Sequence, residues 1–467
     1  MRVLPLALAL VLGSAQISAQ AAVIGVVDSG LDVKHPSFAN KVWTNPGEIP
    51  TNNLDDEQDG YIDDVNGWNF VQNNGILLDS KYLNTFPADT PRFFEIQKKI
   101  LEGTVTDEEK SWVKQSLENP EFRKKLGIFG NFVHGTHVAG ISARKNPNSE
   151  LIGLKLIPTE NPLAPDSIYG VGDNARAAAR FISKVWDTVW PVVRDIGLKA
   201  GLSKLAEIQS TQFVNVALYL NDKKTDVANY SLGISATTAS NIVKPLLKAV
   251  FGRDPSEEEV TRYASFLVGK FAENATKWAA LAPNTLFVMA AGNDGADNDV
   301  LPTSPANARA ANTITVAATL GRSRLAVFSN YGRQMVDVAA PGVGITSEIP
   351  GGGEVVLSGT SQAAPYVTQV AAAIKDENPD LSVYDLKRII TGTVDKRDWL
   401  ADKVRTSGIV NRDRALRAAE LSKTTTVTQA ITQALKDIPD LETPYESTLI
   451  SREDEKLLWT PALPAGL

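Results

Sequence analysis

The sequence predicts an α/β fold in which a doubly wound, mostly parallel sheet carries helices on both faces. A strand that is buried on both faces appears in the sequence as a continuous apolar run. Long amphipathic stretches between such runs indicate the helices that connect parallel strands. The apolar runs are VIGVV at 23–27, LIGLKLI at 151–157, DVANYSL at 226–232, TLFVMAA at 285–291 and TITVAA at 313–318.

Helix starts are marked by a hydroxyl residue followed three positions later by an acid, the spacing of a capping box. This pattern occurs at Thr106 with Glu109, Ser256 with Glu259, and Ser382 with Asp385. Apolar residues at helical spacing predict inserted helices whose stripes pack in the core, near 91–126, 170–215 and 238–282. The last segment, 421–467, is expected to be a C-terminal extension with one helix from Thr424 to Leu435.

Composition excludes several classes of protein. The 467 residues include no cysteine, which excludes disulfides, thiolate catalysis and zinc–thiolate sites. The formal net charge of -7 supplies no basic surface for phosphates or anionic lipid, so nucleic acid is not an expected partner.

The N-terminus has the pattern of a secretory signal peptide. An arginine at position 2 precedes an apolar stretch from Val3 to Gly13, and small and polar residues follow as far as Ala21. The apolar stretch is too short to cross a bilayer, and no later stretch is long enough, so no membrane span is expected. We therefore expect residues 1–21 to be a signal peptide and the protein to be exported, secreted or periplasmic.

Three motifs hold residues suited to nucleophilic catalysis. Asp28 ends the first apolar run, so its carboxylate should emerge at the carboxyl end of a parallel strand, where ligands bind in such sheets. His134 and His137 lie in HGTHVAG, without the third ligand or intervening acid of a zinc helix. Ser361 opens an Ala-rich helix in GTSQAAP, where a serine is by itself equally suited to capping.

Together these motifs carry a specific resemblance. VVDSGLD, HGTHVAG and GTSQAAP, in that order, resemble the three active-site motifs of the subtilisin-like serine proteases, the subtilases. The order Asp, His, Ser along the chain is that of subtilisin and differs from the order in chymotrypsin and in the α/β-hydrolases. Asn293 in AAGNDG resembles the side-chain donor to the oxyanion in that family. The resemblance implies a subtilisin-like peptidase domain over 22–420.

The resemblance also implies an activity. The expected function is that of an exported serine endopeptidase that hydrolyses polypeptide substrates through an Asp28–His134–Ser361 triad and an acyl-enzyme, without a catalytic cofactor. The alternative is a catalytically silent binding or scaffolding protein with the same fold, although all four catalytic positions are retained. The substrate-binding residues implied by the family are Ser231, Leu232, Gly233, Ala291 and Gly292.

An acidic stretch, NLDDEQDGYIDDVNGWNF, lies between the first two motifs. Alternating carboxylates before a glycine turn resemble the start of a calcium loop, although Asn66 stands where a bidentate glutamate is expected. A structural calcium ion is therefore expected at Asp55, Glu57, Asp59 and Asp63. An acidic surface turn without a metal is the alternative.

Most exported subtilases carry a prodomain between the signal peptide and the catalytic strand. Cleavage after Ala21 would leave only six residues, Ala22 to Val27, before Asp28. Three explanations follow. The inserted helices or the C-terminal extension could replace the prodomain, or a separate folding assistant or inhibitor protein could act in trans. Alternatively, the true start of the chain could lie upstream.

Overall fold

A computed structural model describes residues 21–159, 191–441 and 450–458. The described residues form fourteen strands. They are β1 Val23–Asp28, β2 Gly67–Asn69, β3 Glu150–Lys155, β4 Val227–Tyr230, β5 Ile234–Ser235, β6 Leu286–Ala290, β7 Thr303–Ser304, β8 Thr313–Leu320, β9 Arg324–Leu325, β10 Val338–Pro341, β11 Ile345–Glu348, β12 Glu354–Leu357, β13 Asp395–Lys396 and β14 Gly408–Ile409.

The same part of the chain contains eleven α-helices. They are α1 Asp89–Glu102, α2 Asp107–Glu118, α3 Pro120–Ala143, α4 Pro191–Asp222, α5 Ala236–Phe251, α6 Glu257–Ala279, α7 Thr360–Glu377, α8 Val383–Gly392, α9 Arg412–Leu421, α10 Val427–Asp437 and α11 Arg452–Leu458.

The central sheet has the order β13-β14-β10-β8-β6-β4-β1-β3-β2, with β9 paired to β8. All neighbours run parallel except β13 against β14 and β9 against β8. The five runs identified in the sequence form the centre of this sheet as β1, β3, β4, β6 and β8. The predicted doubly wound, mostly parallel α/β fold is confirmed.

Alternate residues of the central strands enter two cores on opposite faces of the sheet. On β6, Val288 packs with residues of α3, α7, α8 and α9, whereas Phe287 and Met289 pack with α4 and α6. Tyr230 on β4 joins the second core and stacks on Trp278 of α6, with ring centroids 5.2 Å apart. Helices therefore cover both faces, as the continuous apolar runs indicate.

Helix starts follow the expected chemistry with one difference. Thr106 and Ser256 form complete capping boxes with Glu109 and Glu259. The Ser382 hydroxyl accepts from the Asp385 amide, but the Ser382 amide does not donate to the Asp385 carboxylate in return. The predicted C-terminal helix is α10, which starts later than expected because Thr426 is its cap.

Helix α3 begins well before the histidine motif and carries the motif in its second half. Asn119 caps it by accepting from the amides of Glu121 and Phe122, and Pro120 occupies its first turn, where proline loses no hydrogen bond. Apolar side chains spaced along one face of its first half are buried against α1 and the residues before it; they are Phe122, Leu126, Phe129, Phe132 and Val133. Glycines at 127, 130 and 135 obscure this helix in the sequence because glycine disfavours helices.

The second helical group has a core of its own. Leu202 on α4, Val243 on α5, and Tyr263 and Leu267 on α6 are buried together, apart from the cores that flank the sheet. Residues 1–20 of the expected signal peptide, 170–190 of the second helical range, and 442–449 and 459–467 of the C-terminal extension lie outside the described residues. Within the described part of the chain, no helix is both long enough and apolar enough to cross a membrane.

The C-terminal helix α11 is fixed to the body by a buried ion pair. Glu455 is fully buried, and its Oε2 accepts from Arg324 Nη2 at 2.8 Å and Nε at 3.0 Å, while its Oε1 accepts from the Val327 amide at 2.8 Å. Leu457 and Leu458 enter the core that α1 and α3 share. The Gln97 amide on α1 donates to the Leu457 carbonyl at 3.0 Å. Helix α11 of the extension is thus part of the folded core.

We predict that Glu455→Ala lowers the free energy of unfolding by about 3 kcal/mol, because it removes the charged partner of Arg324 and leaves the Val327 amide without its acceptor. Urea unfolding followed by circular dichroism measures the change. Glu453→Ala is the matched control on the same helix, where the carboxylate is exposed and pairs with Lys456, and it should leave the midpoint unchanged. Equal midpoints for the two variants would contradict the role of Glu455.

His137 holds α3 to the β11–β12 hairpin. Its Nε2 lies 3.1 Å from the carbonyl oxygens of Ile345 and Val355, so a neutral imidazole donates there. Burial, with a smaller contribution from the charge of His134, lowers the pKa of His137 from 6.5 to about 3. His137 therefore has a structural role, as its position after the first histidine suggests.

We predict that His137 makes the protein less stable as the pH falls from about 6.5 towards 3. In that window the unfolded chain binds a proton at this residue and the folded chain does not, so stability decreases with decreasing pH by up to about 1.4 kcal/mol per pH unit. His137→Gln, which retains an N–H donor, should show a shallower dependence of the unfolding free energy on pH over this range. If the unfolding free energies of wild type and variant depended on pH with the same slope, His137 would not be the source of the pH dependence.

Candidate active site

Asp28 and His134 are brought together by the end of β1 and the middle of α3. His134 Nδ1 lies 2.7 Å from Asp28 Oδ1, and both side chains are almost completely buried. The Ser29 amide donates to the same oxygen at 2.7 Å. The Gly135 amide donates to Ser29 Oγ at 3.2 Å, which fixes α3 against the end of the strand. A carboxylate held in this way orients the imidazole so that Nε2 is left for proton transfer.

Ser361 lies in the first turn of α7. Its hydroxyl donates to the Ser231 carbonyl at 3.2 Å, and the Ser231 hydroxyl donates back to the Ser361 carbonyl at 2.8 Å. Asn229 Nδ2 donates to Ser231 Oγ, which links this pair to β4. The start of the serine helix is therefore bonded directly to the residue that follows β4.

Asn293 is oriented by Thr360, a residue that the sequence did not single out, although it stands inside the GTS motif. Asn293 Oδ1 accepts from the Thr360 amide at 2.9 Å and from its hydroxyl at 2.8 Å. With the oxygen occupied, Nδ2 is the free donor. A methyl group placed on Gly359 would lie 3.6 Å from both Asn293 Nδ2 and Ser361 N. Two hydrogen-bond donors therefore border the same small space, and the side-chain oxygen of Gln362, 2.8 Å from that methyl position, borders it as well.

The loop that carries Asn293 is held by Asn330. Asn330 Oδ1 accepts from the amides of Asp294 and Ala296 at 2.8 and 3.0 Å. Gly292 has a φ of +110°, and a Cβ there would lie 2.5 Å from Asn330 Nδ2, so the position requires glycine. The hydrogen bonds of Asn330 and the backbone conformation of Gly292 together fix the orientation of Asn293.

Four of the five expected substrate-binding residues line a cleft beside Ser361: Ser231, Leu232, Gly233 and Gly292. The fifth, Ala291, is fully buried among core residues, and Ala290 lines the cleft instead, because side chains alternate between the two sides of a strand. Asp294 and Thr303 also border the cleft. Burial raises the pKa of Asp294, and Ser235 Oγ donates to it at 3.3 Å.

His35, the third histidine, lies away from these groups and caps a short 3-10 helix. Its Nδ1 accepts from the Ser37 amide at 3.2 Å, and its ring is tilted against Phe38.

The acidic stretch does not bring its four expected metal ligands into one group. Asp55 lies with Glu48 and Glu57, whereas Asp59 lies with Glu57 and Asp64. Asp63 joins neither group and accepts from the amides of Asn52 and Asn53. Glu48, which belongs to the first group, precedes the acidic stretch in the chain and was not identified from the sequence.

Lys223, at the end of α4, lies inside the second acidic group. Its Nζ is 2.8 Å from Glu57 Oε1, 2.5 Å from Asp59 Oδ2 and 3.2 Å from Asp64 Oδ2. Although burial alone would lower its pKa, the bonds to Asp59 and Glu57 raise the pKa of Lys223 above its ordinary value. No sequence signal connects Lys223 with this loop, because more than 150 residues separate them.

Comparison with known proteins places the chain in a family. A sequence profile of the Subtilase family matches residues 19–413. The alkaline elastase YaB of Bacillus sp. (strain YaB) is 37% identical over 159 residues, which are 33% of this chain and 40% of that protein. Subtilisin-like protease 7 of Arthroderma gypseum is 52% identical over 95 residues, 20% of this chain and 22% of that protein. The chain thus aligns with less than half the length of each relative.

Among solved structures, a cold adapted subtilisin-like serine proteinase aligns with 85% of this chain and 89% of its own, at 19% identity and a TM-score of 0.39. The profile match spans most of the chain and includes Asp28, His134, Asn293 and Ser361. The chain belongs to the subtilase family.

Proposed function

We propose that this subtilase is an exported serine endopeptidase that cleaves polypeptides. The observation that carries the proposal is the buried contact between His134 Nδ1 and Asp28 Oδ1, because it leaves His134 Nε2 as the base for a neighbouring hydroxyl. Membership of a family whose named relatives are proteases supports the same activity.

In the proposed first step, Ser361 Oγ attacks the carbonyl carbon of the scissile amide while His134 Nε2 takes the hydroxyl proton. Asp28 stabilises the imidazolium that forms and keeps the ring oriented. His134 then returns the proton to the leaving amine, and an acyl group remains on Ser361. Water, deprotonated by His134, hydrolyses the ester and regenerates the hydroxyl.

Asn293 Nδ2 and the Ser361 amide are the proposed donors to the tetrahedral oxyanion. Both border the same space beside Gly359, and Thr360 prevents the Asn293 amide from turning its oxygen towards that space. Donors fixed in advance lower the barrier because they need no reorganisation as the negative charge develops. All of the proposed steps use side chains and backbone amides of this chain.

A silent binding protein is the second candidate. The Ser361 hydroxyl donates to the Ser231 carbonyl, and this bond must break before His134 can accept its proton. Catalytic hydrogen bonds of free enzymes are often long and tighten only when substrate binds, so the bond to Ser231 is also compatible with an active enzyme.

We predict that a fluorophosphonate probe labels the wild-type protein and that Ser361→Ala abolishes labelling. Asn293→Ala should retain labelling at a reduced rate and lower kcat on a peptide substrate by about 10²–10³ with little change in KM, a loss taken from subtilisin itself. Absence of labelling in folded wild-type protein would favour the binding protein.

Export is supported by a contact at the expected cleavage site. The Ala22 amide donates to Asp376 Oδ1 at 2.8 Å, and Ser149 Oγ donates to Asp376 Oδ2. Cleavage after Ala21 would convert this amide into an ammonium group beside a half-buried carboxylate. Burial raises the pKa of Asp376, and a cation at Ala22 would offset this effect. The new N-terminus would thereby stabilise the end of α7, the helix that carries Ser361.

We predict that the exported protein begins at Ala22, as mass spectrometry of the N-terminal peptide would show. Asp376→Asn should destabilise this form by about 1 kcal/mol more than it destabilises a form that retains Gln20 and Ala21, because only the first loses an ion pair. The four unfolding free energies form a double-mutant cycle. A coupling of zero would show that the ammonium group contributes nothing at this site.

A further inference from the structure

Gln362 is a buried polar side chain next to the catalytic groups, and the proposed mechanism does not yet use it. It follows Ser361 in the first turn of α7 and is 2% exposed. Its side-chain nitrogen, Nε2, is buried and has no hydrogen-bond partner among the described residues. A buried N–H group without an acceptor raises the free energy of the folded state, so this nitrogen requires an explanation.

The oxygen of the same amide borders the space where the oxyanion is expected to form. Gln362 Oε1 lies 2.8 Å from the position of a methyl group on Gly359, and both Asn293 Nδ2 and the Ser361 amide nitrogen lie 3.6 Å from that position. In the protein without substrate, an amide oxygen is favoured there because it faces two N–H donors. The oxyanion of a bound substrate would replace it as their acceptor.

The same oxygen would oppose catalysis if it kept this orientation. An amide oxygen carries partial negative charge, and a negative charge that develops beside it in a buried site is destabilised. Rotation of the amide by half a turn exchanges Oε1 for Nε2 and leaves the shape of the group unchanged. The last torsion of a glutamine side chain has a broad energy profile, so this rotation is accessible.

Hydrogen bonds hold the Asn293 amide in one orientation but do not hold the Gln362 amide in the same way. Asn293 Oδ1 accepts two bonds from Thr360, which fixes its nitrogen towards the space beside Gly359. Gln362 Nε2 has no described acceptor that rotation would remove. After rotation the oxygen takes the buried position, where a carbonyl oxygen without a donor is tolerated more often than an N–H without an acceptor.

We propose that Gln362 is a further catalytic residue, a third donor to the oxyanion. Its amide rotates as the tetrahedral intermediate forms, so that Nε2 joins Asn293 Nδ2 and the Ser361 amide around the negative oxygen. It rotates back when the intermediate collapses, and no covalent bond of Gln362 forms or breaks. The inference rests on the proposed peptidase function and adds one group to its mechanism.

The labelling rate of a fluorophosphonate probe tests the proposal, because the phosphoryl oxygen of the adduct takes the place of the oxyanion. Gln362→Met keeps the length of the side chain without an N–H donor. It should lower the limiting rate at saturating probe by about tenfold, less than Asn293→Ala does, because a donor that must rotate stabilises the charge less than a fixed one. The probe concentration at half-saturation should stay the same. Gln362→Glu, which offers only acceptors at neutral pH, should be slower than Gln362→Met.

Gln369→Met is the matched control on the same helix. Gln369 is also buried, but its Nε2 donates to the Ile141 carbonyl at 2.9 Å, and its side chain does not line the cleft beside Ser361. This variant should lower the melting temperature and leave the labelling rate unchanged. The comparison separates a loss of stability from a loss of stabilisation of the oxyanion.

The direction of the change in rate decides the proposal. If the amide did not rotate, Gln362→Met would remove a repulsive oxygen, and the variant would be labelled as fast as the wild type or faster. That result, with a wild type that is labelled, would overturn the inference and leave the proposed peptidase function intact. A folded wild type that is not labelled would overturn the peptidase function, and the inference with it.

Discussion

The contact between Asp28 and His134 constrains much of the architecture, because it requires the middle of a helix to touch the end of a buried strand. A Cβ on Gly135 would lie 2.0 Å from the Gly30 carbonyl oxygen, so glycine alone permits this approach. Gly30 itself has a φ of +130°, which turns the chain away immediately after the strand. The carboxylate and the imidazole can meet at 2.7 Å only because both of these positions lack side chains.

The position of α3 is in turn maintained by elements distant in the sequence. His137, one turn after His134, bonds to carbonyls of the β11–β12 hairpin that leads into the serine helix. The first half of α3 packs through Phe122 and Phe129 on the aromatic side chains of α1, and α11 closes the same core with Leu457 and Leu458. The helix that carries His134 is therefore held in place by the β11–β12 hairpin, by α1 and by α11, the last described helix of the chain.

Sequence patterns identified the central strands and the motif residues because each depends on local chemistry. An apolar run predicts a buried strand wherever it occurs, and Asp28, His134 and Ser361 lie in short motifs that can be recognised without knowing their partners. The sequence patterns failed where the start of a helix or the position of a side chain depends on contacts with residues distant in the sequence. The early start of α3 requires burial against α1 to offset three glycines, and Lys223 enters the acidic loop only after α4 has packed. Ala290 and Ala291 could not be told apart until the pairing of β6 fixed which side faces the cleft.

The same long-range contacts bear on how such a chain folds. In the centre of the sheet, β1 pairs with β3 and β4, so its neighbours come from segments more than 120 and 200 residues away. Pairings this distant form late, because the entropy of closing long loops opposes them before burial compensates. Contacts between segments more than 350 residues apart add to this requirement: Ala22 bonds to Asp376, and Gln97 bonds to Leu457. The core that packs against the helix carrying His134 is consequently closed only when the C-terminal helix has docked, which links assembly of the site to these distant contacts.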